Sequence, residues 1–492
     1  MGPWQTVVGL EIHAQLKTVH KLFSRTVRPP PNAPPNSAVS FYDVASPGTL
    51  PRLNRESVRL AVKAGIALNG IVNRRCSRFV RKHYFYGDMP SGYQITQQDH
   101  PLISGGFISL SDGLKIRLDR IQLEQDSGKT ICDIDDHYNH VDLNRAGVPL
   151  IEIVTLPDMR NGKQAAAVVK KLQSVLSHLG ICDGIMANGS LRVDVNVSLM
   201  DASGDMSAND RVEIKNLNSI KSIEKAIDFE AKRQTAVLDQ GLKITRETRN
   251  YNALTGITEV IRSKETSKDY RMFNDPDLPV LYLPDSFVED VRESMGELPE
   301  QILERLKNDF SVPSNAAEII SSNPDLYSYF LSVINVRPPS SETGAIVAKW
   351  IVNELFGRLS KMDLTISSCP VSPICFRDLA DLVNSGVITG FSAKTLLEIL
   401  MNGDDRPVNV IIAEHHLSTI SSAEVLEPAC ASVIRDFPSE VHDYVVKGRT
   451  RKLNFLTDMA RKRLHNEANM VLINSILLRM LEEQVNNLKS NI

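Results

Sequence analysis

Hydrophobic and polar side chains alternate along short segments in the first part of the chain, the pattern of β-strands with two different faces. In the first segment, five aliphatic side chains share one face, and Glu11, His13 and Gln15 share the other. The other segments repeat this design with different polar residues. We therefore predict strands at residues 8–16, 120–124, 191–199 and 211–215.

Two segments with helical periodicity lie between these strands. Residues 163–179 carry an aliphatic stripe, with Asn161 placed to cap the start of a helix and Gly180 to end it. Residues 220–239 have a similar stripe and end before Gly241. Both helices are expected to pack against a sheet.

The periodicity becomes helical from about Pro299 onward, and the composition changes again near Leu417. The fold class predicted is α+β. We expect an antiparallel sheet with helices in residues 1–292, an all-α helical domain in 293–416, and a small helical tail domain in 417–492.

The composition excludes several classes of protein. The 492 residues include 56 Lys and Arg against 59 Asp and Glu, so a strongly basic nucleic-acid binder is excluded. Apolar runs fall well short of the roughly 18 residues of a membrane span, which predicts no membrane insertion. The six cysteines form no CxxC pair, so they indicate neither a disulfide framework nor a structural zinc site.

The polar faces of the four strands combine carboxylates, an imidazole, amides and cationic side chains. That set suits a divalent cation with phosphates, although for any single strand an ordinary solvated face is the simpler interpretation. Glu152 lies among aliphatic residues, where an ionised carboxylate needs a cation, a metal or a proton. Residues 127–130 imitate the end of a P-loop, but Leu123 stands where its first glycine belongs.

The chain resembles the GatB family, the tRNA-binding subunits of the glutamyl-tRNA(Gln) amidotransferase, in a series of blocks that occur in the same order. The resemblance is dense up to about residue 280 and loose in the C-terminal third. The blocks include Val8-Gly9-Leu10-Glu11-Ile12-His13, Tyr84-Phe85-Tyr86-Gly87-Asp88, Leu123-Glu124-Gln125-Asp126-Ser127-Gly128-Lys129, Glu213-Ile214-Lys215-Asn216-Leu217-Asn218 and Asp269-Tyr270-Arg271-Met272-Phe273.

This resemblance implies a cradle-like N-terminal catalytic domain followed by the helical and tail domains. It also implies an ATP-dependent ligase reaction that requires Mg²⁺. ATP phosphorylates the side chain of glutamate on mischarged Glu-tRNA(Gln), and ammonia from an amidase-type glutaminase subunit displaces the phosphate. A small third subunit is expected as a further partner.

The resemblance also assigns roles to residues of the predicted strands. The Mg²⁺ ligands, directly or through water, are expected to be Glu11, His13, Glu124 and Glu152, with Asp194 as a further catalytic residue. The candidates for ATP and phosphate binding are Lys82, Tyr84, Arg192, Lys215 and Arg271. His13 as a structural histidine and Tyr84 as a core residue remain the alternatives.

The chain also departs from the family pattern. Many members carry zinc-binding cysteines after the position of Ser24, whereas this chain has residues of other types there, so no zinc is expected. Gln125 stands where a second glutamate is common. In the tail, seven Lys and Arg from Lys447 to Arg463 accompany one acid, Asp458. Such a run usually forms a solvated face, but the resemblance places it where the family's tail approaches the tRNA, which implies contact with tRNA phosphates. The tRNA-binding candidates are Lys447, Arg449, Arg451 and Lys452.

Two questions stay open at this stage. A scaffold that binds tRNA and the glutaminase without phosphoryl chemistry is the main alternative, and the retained glutamates argue against it. The pattern is closest to fungal mitochondrial members, which implies the mitochondrial matrix. Because no presequence is recognisable at the N-terminus, a bacterial cytoplasmic protein is the alternative.

Overall fold

The computed structural model describes residues 4–30, 32–110, 112–132, 138–201, 210–263, 270–338, 341–447, 449–465 and 467–490. The chain divides into two compact units, Met1–Pro299 and Glu300–Ile492. Strands occur in the first unit and helices dominate the second, so the predicted α+β class is confirmed.

The strands of the first unit overlap all four segments predicted from alternation, with Leu16 and Arg211 lying one residue outside the observed strands. In chain order they are β1 (Trp4–Gln15), β2 (Ile71–Val72), β3 (Val80–His83), β4 (Tyr93–Thr96), β5 (Ile103–Ser104), β6 (Phe107–Ser109), β7 (Lys115–Gln125), β8 (Lys129–Cys132), β9 (Asn139–Asp142), β10 (Pro149–Thr155), β11 (Leu191–Asp201), β12 (Val212–Leu217), β13 (Glu247–Asn252), β14 (Ile257–Ser263) and β15 (Phe273–Asn274).

Most of these strands form one large twisted sheet. Its order is β14-β13-β12-β11-β1-β10-β7-β5-β2, with β6 paired to β7 beside this path. The expected antiparallel sheet was wrong in one place, because β12 and β13 run parallel and α3 (Ile220–Asp239) lies between them in sequence. A parallel pair needs such a crossover connection, so the sheet is mixed.

The aliphatic face of the sheet packs against helices. These are α1 (Arg55–Ala67), α2 (Gly162–His178) and the helix α3, while α4 (Asp285–Glu293) packs against α1 and a short 3₁₀ turn lies at Met186–Asn188. The Asn161 side chain accepts a hydrogen bond from the Gln164 backbone and so caps α2, as predicted. The core of this unit includes Val8, Leu10, Ile12 and Ala14 of β1 and Leu16, which follows the strand. The polar face of β1 is therefore the one that can contribute side chains to a functional site.

Two small sheets stand beside the large one. The first has the order β15-β3-β4, and the second is the β8–β9 hairpin. β4 packs next to β7, so residues of the two strands meet although they belong to different sheets. This packing brings a second layer of polar side chains to the large sheet.

The second unit is helical in the part of the chain that the structure describes. Its helices are α5 (Pro299–Asn308), α6 (Ser314–Ser321), α7 (Pro324–Ile334), α8 (Ser341–Trp350), a π turn (Ile351–Leu355), α9 (Phe356–Lys361), a 3₁₀ turn (Ile366–Ser368), α10 (Pro373–Asn384), α11 (Gly390–Met401), α12 (Val408–Glu414), α13 (Ala423–Asp436), α14 (Pro438–Val445), α15 (Arg451–Arg463) and α16 (Met470–Ser490).

Two separate apolar clusters hold these helices together. One extends from Ile302 to Leu417 and the other from Leu426 to Leu481. Among the described helices of the whole chain, none combines the length and hydropathy that a membrane crossing requires.

Candidate functional site

Polar side chains of the central strands form one row across the large sheet. His13 on β1 lies opposite Glu152 on β10 and opposite Arg192 on β11, and Glu152 lies opposite Gln122 on β7. The next row pairs Glu11 with Asp194. Because alternate residues of a strand share a face, these side chains project from the same side of the sheet. The sheet thus brings together residues that are far apart in sequence.

Three of the four predicted Mg²⁺ ligands form a compact group. His13, Glu124 and Glu152 each offer a ligand atom, and these atoms lie within 4.8 Å of one another. His13 Nδ1 is 3.9 Å from Glu124 Oε1. One imidazole and two carboxylates supply the nitrogen and oxygen donors that divalent cations accept. We call these three residues the ligand cluster.

Amide and hydroxyl groups fix the carboxylates of the ligand cluster. Gln94 Nε2 and Thr96 Oγ1, both on β4, donate to the two oxygens of Glu124 at 2.7 and 2.9 Å. Gln122 Nε2 donates to Glu152 Oε2 at 2.6 Å. Each bond leaves lone pairs on the carboxylate for a further ligand. The site is therefore preorganised by neighbouring strands.

Burial makes both carboxylates poor anions when they lack a cation. The pKa of Glu124 is raised above its ordinary value, first by burial, although Lys82 and the hydrogen bonds from Thr96 and Gln94 oppose this effect. The pKa of Glu152 is raised to about 7 by burial and by the charge of Glu124. A divalent cation bound between these two carboxylates would offset the cost of burying their charges.

Cationic groups border the ligand cluster. The charge of Lys82 on β3 lowers the pKa of both Glu124 and Glu152, and its Nζ lies 5.0 Å from the centre of the Tyr270 ring. Arg192 Nη2 contacts Asp126 Oδ2 at 2.9 Å, whereas its Nε is buried without a hydrogen-bond partner among the described residues. A buried donor without a partner is costly, so an anionic ligand at this point would be stabilised.

Glu11 and Asp194 lie beside the ligand cluster and have partners of their own. Asn196 Nδ2 donates to Glu11 Oε1 at 3.1 Å. Lys215 Nζ lies 2.5 Å from Asp194 Oδ2 and 3.1 Å from Glu213 Oε1. Lys215 thus already neutralises carboxylates of β11 and β12, and both charges raise its own pKa against the effect of burial.

Tyr84 and Arg271 occupy different environments. The pKa of Tyr84 is raised by burial and by the charge of Glu124, and its ring contacts that of Tyr86, with the ring centres 5.4 Å apart. Arg271 is exposed and has a positive φ of 44°, and its carbonyl oxygen lies 3.1 Å from His83 Nδ1. Arg271 therefore belongs to the segment that covers β3.

The basic residues of the tail meet acids from the preceding helix. Lys447 and Arg449 contact Asp443 at 2.8 and 3.0 Å, and Lys452 lies 3.9 Å from Glu440. Arg451 is exposed at the start of α15. The four candidates thus lie on one helix junction, and their surroundings are less basic than the sequence run indicates.

Sequence reasoning missed the residues that hold the ligand cluster. Gln94 and Thr96 reach Glu124 only because β4 packs beside β7, and that contact joins two sheets. Asp126, which orients Arg192, was also missed. Gln94 and Thr96 lie in a further block of the resemblance, Gly92-Tyr93-Gln94-Ile95-Thr96-Gln97, and Asp126 lies in the block from Leu123 to Lys129. Strand periodicity alone gave no signal for these residues.

Comparison with known proteins matches both parts of the chain. Residues 6–289 match the family model described as "GatB/GatE catalytic domain", and residues 329–481 match the one described as "GatB domain". The chain is 40% identical to a subunit of the aspartyl/glutamyl-tRNA(Asn/Gln) amidotransferase of Rickettsia canadensis over 98% of each chain. It is 38% identical to the subunit of the same name from Zymomonas mobilis, again over 98% of each chain. The chain therefore belongs to the GatB/GatE family of amidotransferase subunits.

Proposed function

We propose that this chain is the subunit that activates the glutamate of mischarged Glu-tRNA(Gln) for amidation. The observation that carries the proposal is the ligand cluster, in which His13, Glu124 and Glu152 place three donor atoms within 4.8 Å. Membership of the family makes it part of an ATP-dependent carbon–nitrogen ligase with glutamine as the amide donor. A carboxylate does not accept ammonia unaided, so an activating group must be attached first.

The residues of the cluster fit Mg²⁺. Both carboxylates are buried and their pKa values are raised, so a divalent cation would stabilise their ionised forms. His13, Glu124 and Glu152 would hold the ion, directly or through water, with Glu11 and Asp194 in the adjacent row. When bound, Mg²⁺ neutralises charge on the transferred phosphoryl group.

The side chains around the cluster orient the substrates. The terminal phosphate of ATP would contact Lys82 and the unpartnered Nε of Arg192. An oxygen of the glutamate side chain attacks the terminal phosphorus, the bond from that phosphorus to ADP breaks, and an acyl phosphate forms. Ammonia then attacks the acyl carbon, loses a proton and releases inorganic phosphate, which gives Gln-tRNA(Gln).

Assignments of the partner subunits, the tRNA contacts and the cellular location extend this proposal. An amidase-type glutaminase subunit supplies ammonia, a small third subunit completes the complex, and no zinc is required. Lys447, Arg449, Arg451 and Lys452 contact tRNA phosphates, while Tyr84, Lys215 and Arg271 support the substrate site. The bacterial relatives are named for both aspartyl- and glutamyl-tRNA, so Asp-tRNA(Asn) should be assayed beside Glu-tRNA(Gln). A mitochondrial matrix location is tested by protease protection in fractionated cells.

The decisive variant is Glu124→Gln in the complex reconstituted with the glutaminase partner. We expect Glu-tRNA(Gln)-dependent ATP hydrolysis to fall by at least about 100-fold, because transition-state charge stabilisation is lost. The matched control is Glu293→Gln, which removes an exposed carboxylate at the end of α4. Unchanged hydrolysis in a Glu124→Gln complex that still binds tRNA would favour the scaffold alternative.

A further inference from the structure

A chain of hydrogen bonds joins the two carboxylates of the ligand cluster. Gln122 Nε2 donates one hydrogen to Glu152 Oε2 at 2.6 Å and the other to Thr96 Oγ1 at 3.3 Å. The Thr96 hydroxyl in turn donates to Glu124 Oε2 at 2.9 Å. We call this path, from Glu152 through Gln122 and Thr96 to Glu124, the carboxylate bridge. It connects β10, β7 and β4 and therefore spans two sheets.

Arg120 fixes the direction in which the bridge donates. Its Nε donates to Gln122 Oε1 at 2.9 Å. A guanidinium has no acceptor, so the oxygen of the Gln122 amide must face Arg120 and the nitrogen must face the carboxylates. The single hydroxyl hydrogen of Thr96 lies toward Glu124, because the contact with the Gln97 carbonyl oxygen is longer, at 3.5 Å. Each group of the bridge therefore donates toward a carboxylate.

The bridge is excluded from water. Thr96 is 2% exposed and Gln122 is 4% exposed, so solvent does not replace these hydrogen bonds. Gln94 Nε2 holds the second oxygen of Glu124 at 2.7 Å. Both oxygens of Glu124 and one oxygen of Glu152 are thus fixed, and the lone pairs that remain on them have fixed directions.

The backbone beside Glu124 has a support of its own. Gln97 Oε1 accepts hydrogen bonds from the backbone nitrogens of Leu123 at 3.1 Å and of Leu102 at 3.0 Å, and Gln97 Nε2 donates to Ser77 Oγ at 2.6 Å. This contact keeps β4 and β7 together without the carboxylate bridge. A change confined to the bridge should therefore alter the carboxylates and leave the strands in place.

We propose that Thr96 and Gln122 are positioning residues, which hold the two carboxylates of the ligand cluster in the geometry that Mg²⁺ requires. Arg120 sets their polarity through its contact with Gln122. The inference rests on the proposed function, because it concerns the ion of that site. Mg²⁺ demands a near-ideal octahedral geometry, whereas Ca²⁺ accepts a flexible one. Two rigidly held carboxylates therefore favour Mg²⁺ over Ca²⁺.

The test compares Thr96→Val and Thr96→Ser with the wild type in the reconstituted complex. Valine removes the hydroxyl from a side chain of the same shape, and serine retains it. The matched control is Thr258→Val on β14, which β13, β12, β11 and β1 separate from β10. Thr258 is also buried, and its hydroxyl donates to Glu230 Oε2 at 2.8 Å and accepts from Arg249 Nε at 3.0 Å. Calorimetry measures the binding of Mg²⁺ alone and of Ca²⁺ alone, without nucleotide or tRNA.

We expect the Kd for Mg²⁺ to rise by about 10- to 100-fold in Thr96→Val, the usual effect of removing a group that orients a metal ligand. The Kd for Ca²⁺ should rise less, and Thr96→Ser should bind both ions as the wild type does. Thr258→Val should lose thermal stability but keep its Mg²⁺ affinity. An unchanged Mg²⁺ affinity in Thr96→Val, or equal losses for the two ions, would overturn the inference. If Glu124→Gln still abolishes Mg²⁺ binding and ATP hydrolysis, the proposed function stands without it.

A second variant, Arg120→Met, covers the possibility that Thr96→Val does not fold. The Arg120 side chain is 30% exposed, so its replacement disturbs the core little. Loss of a nearby positive charge should by itself strengthen the binding of a cation. Release of the Gln122 amide should instead weaken Mg²⁺ binding, so the two effects have opposite signs. The control is Arg117→Met, which removes a cation of the same strand that contacts Asp158. Weaker Mg²⁺ binding in Arg120→Met alone supports the inference, and unchanged or stronger binding contradicts it.

Discussion

The buried Lys21–Asp43 ion pair gives a prediction about how the segment after β1 is held. Lys21 is fully buried, and its Nζ lies 3.2 Å from both Asp43 Oδ2 and the Leu143 carbonyl oxygen. Ser24 Oγ and Thr26 Oγ1 also donate to the Asp43 carboxylate, at 3.1 and 2.9 Å. This network of hydroxyl, ammonium and carboxylate groups holds the segment that follows β1.

Lys21→Met should destabilise the first unit by about 3–5 kcal/mol, because it leaves the buried Asp43 carboxylate without its counter-ion. Because Ser24 and Thr26 still donate hydrogen bonds to Asp43 in this variant, we expect a loss of stability at the lower end of that range. Lys21→Met combined with Asp43→Asn should recover part of the loss, because both charges are then absent. A strong zinc chelator should leave the stability of the wild type unchanged.

Urea unfolding followed by tryptophan fluorescence measures these effects. The chain has two tryptophans, Trp4 in β1 and Trp350 in the second unit, so a Trp350→Phe background reports on the first unit. Lys63→Met is the control, since Lys63 is a partly buried lysine whose Nζ donates to a backbone carbonyl. A loss below about 1 kcal/mol for Lys21→Met, or strong sensitivity to the chelator, would refute the reasoning.

Three further predictions follow from the site, the backbone and the tail. Because the pKa of Glu152 is raised to about 7, Mg²⁺ affinity measured by calorimetry should fall about tenfold per pH unit below pH 7 and level off above pH 7. Without Mg²⁺, the contribution of Glu152 to the free energy of unfolding is fully present below the pKa that this group has in the unfolded chain. That contribution is lost as the pH rises through 7. Gly106→Ala should cost about 1–3 kcal/mol in thermal unfolding, since φ is +112° and a Cβ would lie 2.6 Å from the Leu68 oxygen. The double variant Arg451→Ala, Lys452→Ala should bind tRNA more weakly. In a plot of log K for tRNA binding against log salt concentration, its slope should be smaller in magnitude by up to about 2. An unchanged slope would exclude phosphate contact by these two residues.

Local pattern predicted four of the strands and two of the helices of the first unit, and it left the shorter strands and the helices α1 and α4 unassigned. The helix expected at 220–239 is α3, Ile220–Asp239, and the strand expected at 191–199 lies within β11. Alternation and capping are local signals, so neighbouring residues are enough to read them. The parallel pairing of β12 with β13 could not be read in this way, because strand direction depends on the path of the chain between them.

The sequence predicted that His13, Glu124 and Glu152 act together, whereas it gave no sign of the residues that hold them in place. His13, Glu124 and Glu152 stood out as polar residues on alternating strands, and the sheet register then brought them together. Gln94 was not expected to matter, because it reaches Glu124 through packing between two sheets. Lys215 was expected to contact phosphate, yet its nearest described partners are carboxylates of the same sheet, which only three-dimensional proximity reveals.

The most direct test of the central claim is a single-turnover reaction in which ammonium chloride replaces glutamine. ADP and Gln-tRNA(Gln) are quantified together for the wild type, Glu124→Gln and Glu152→Gln, after tRNA binding has been verified for each complex. We predict one ADP for each Gln-tRNA(Gln) in the wild type and neither product at a comparable rate in the variants. Normal ADP and Gln-tRNA(Gln) formation by either variant would contradict the assignment of this chemistry to the ligand cluster.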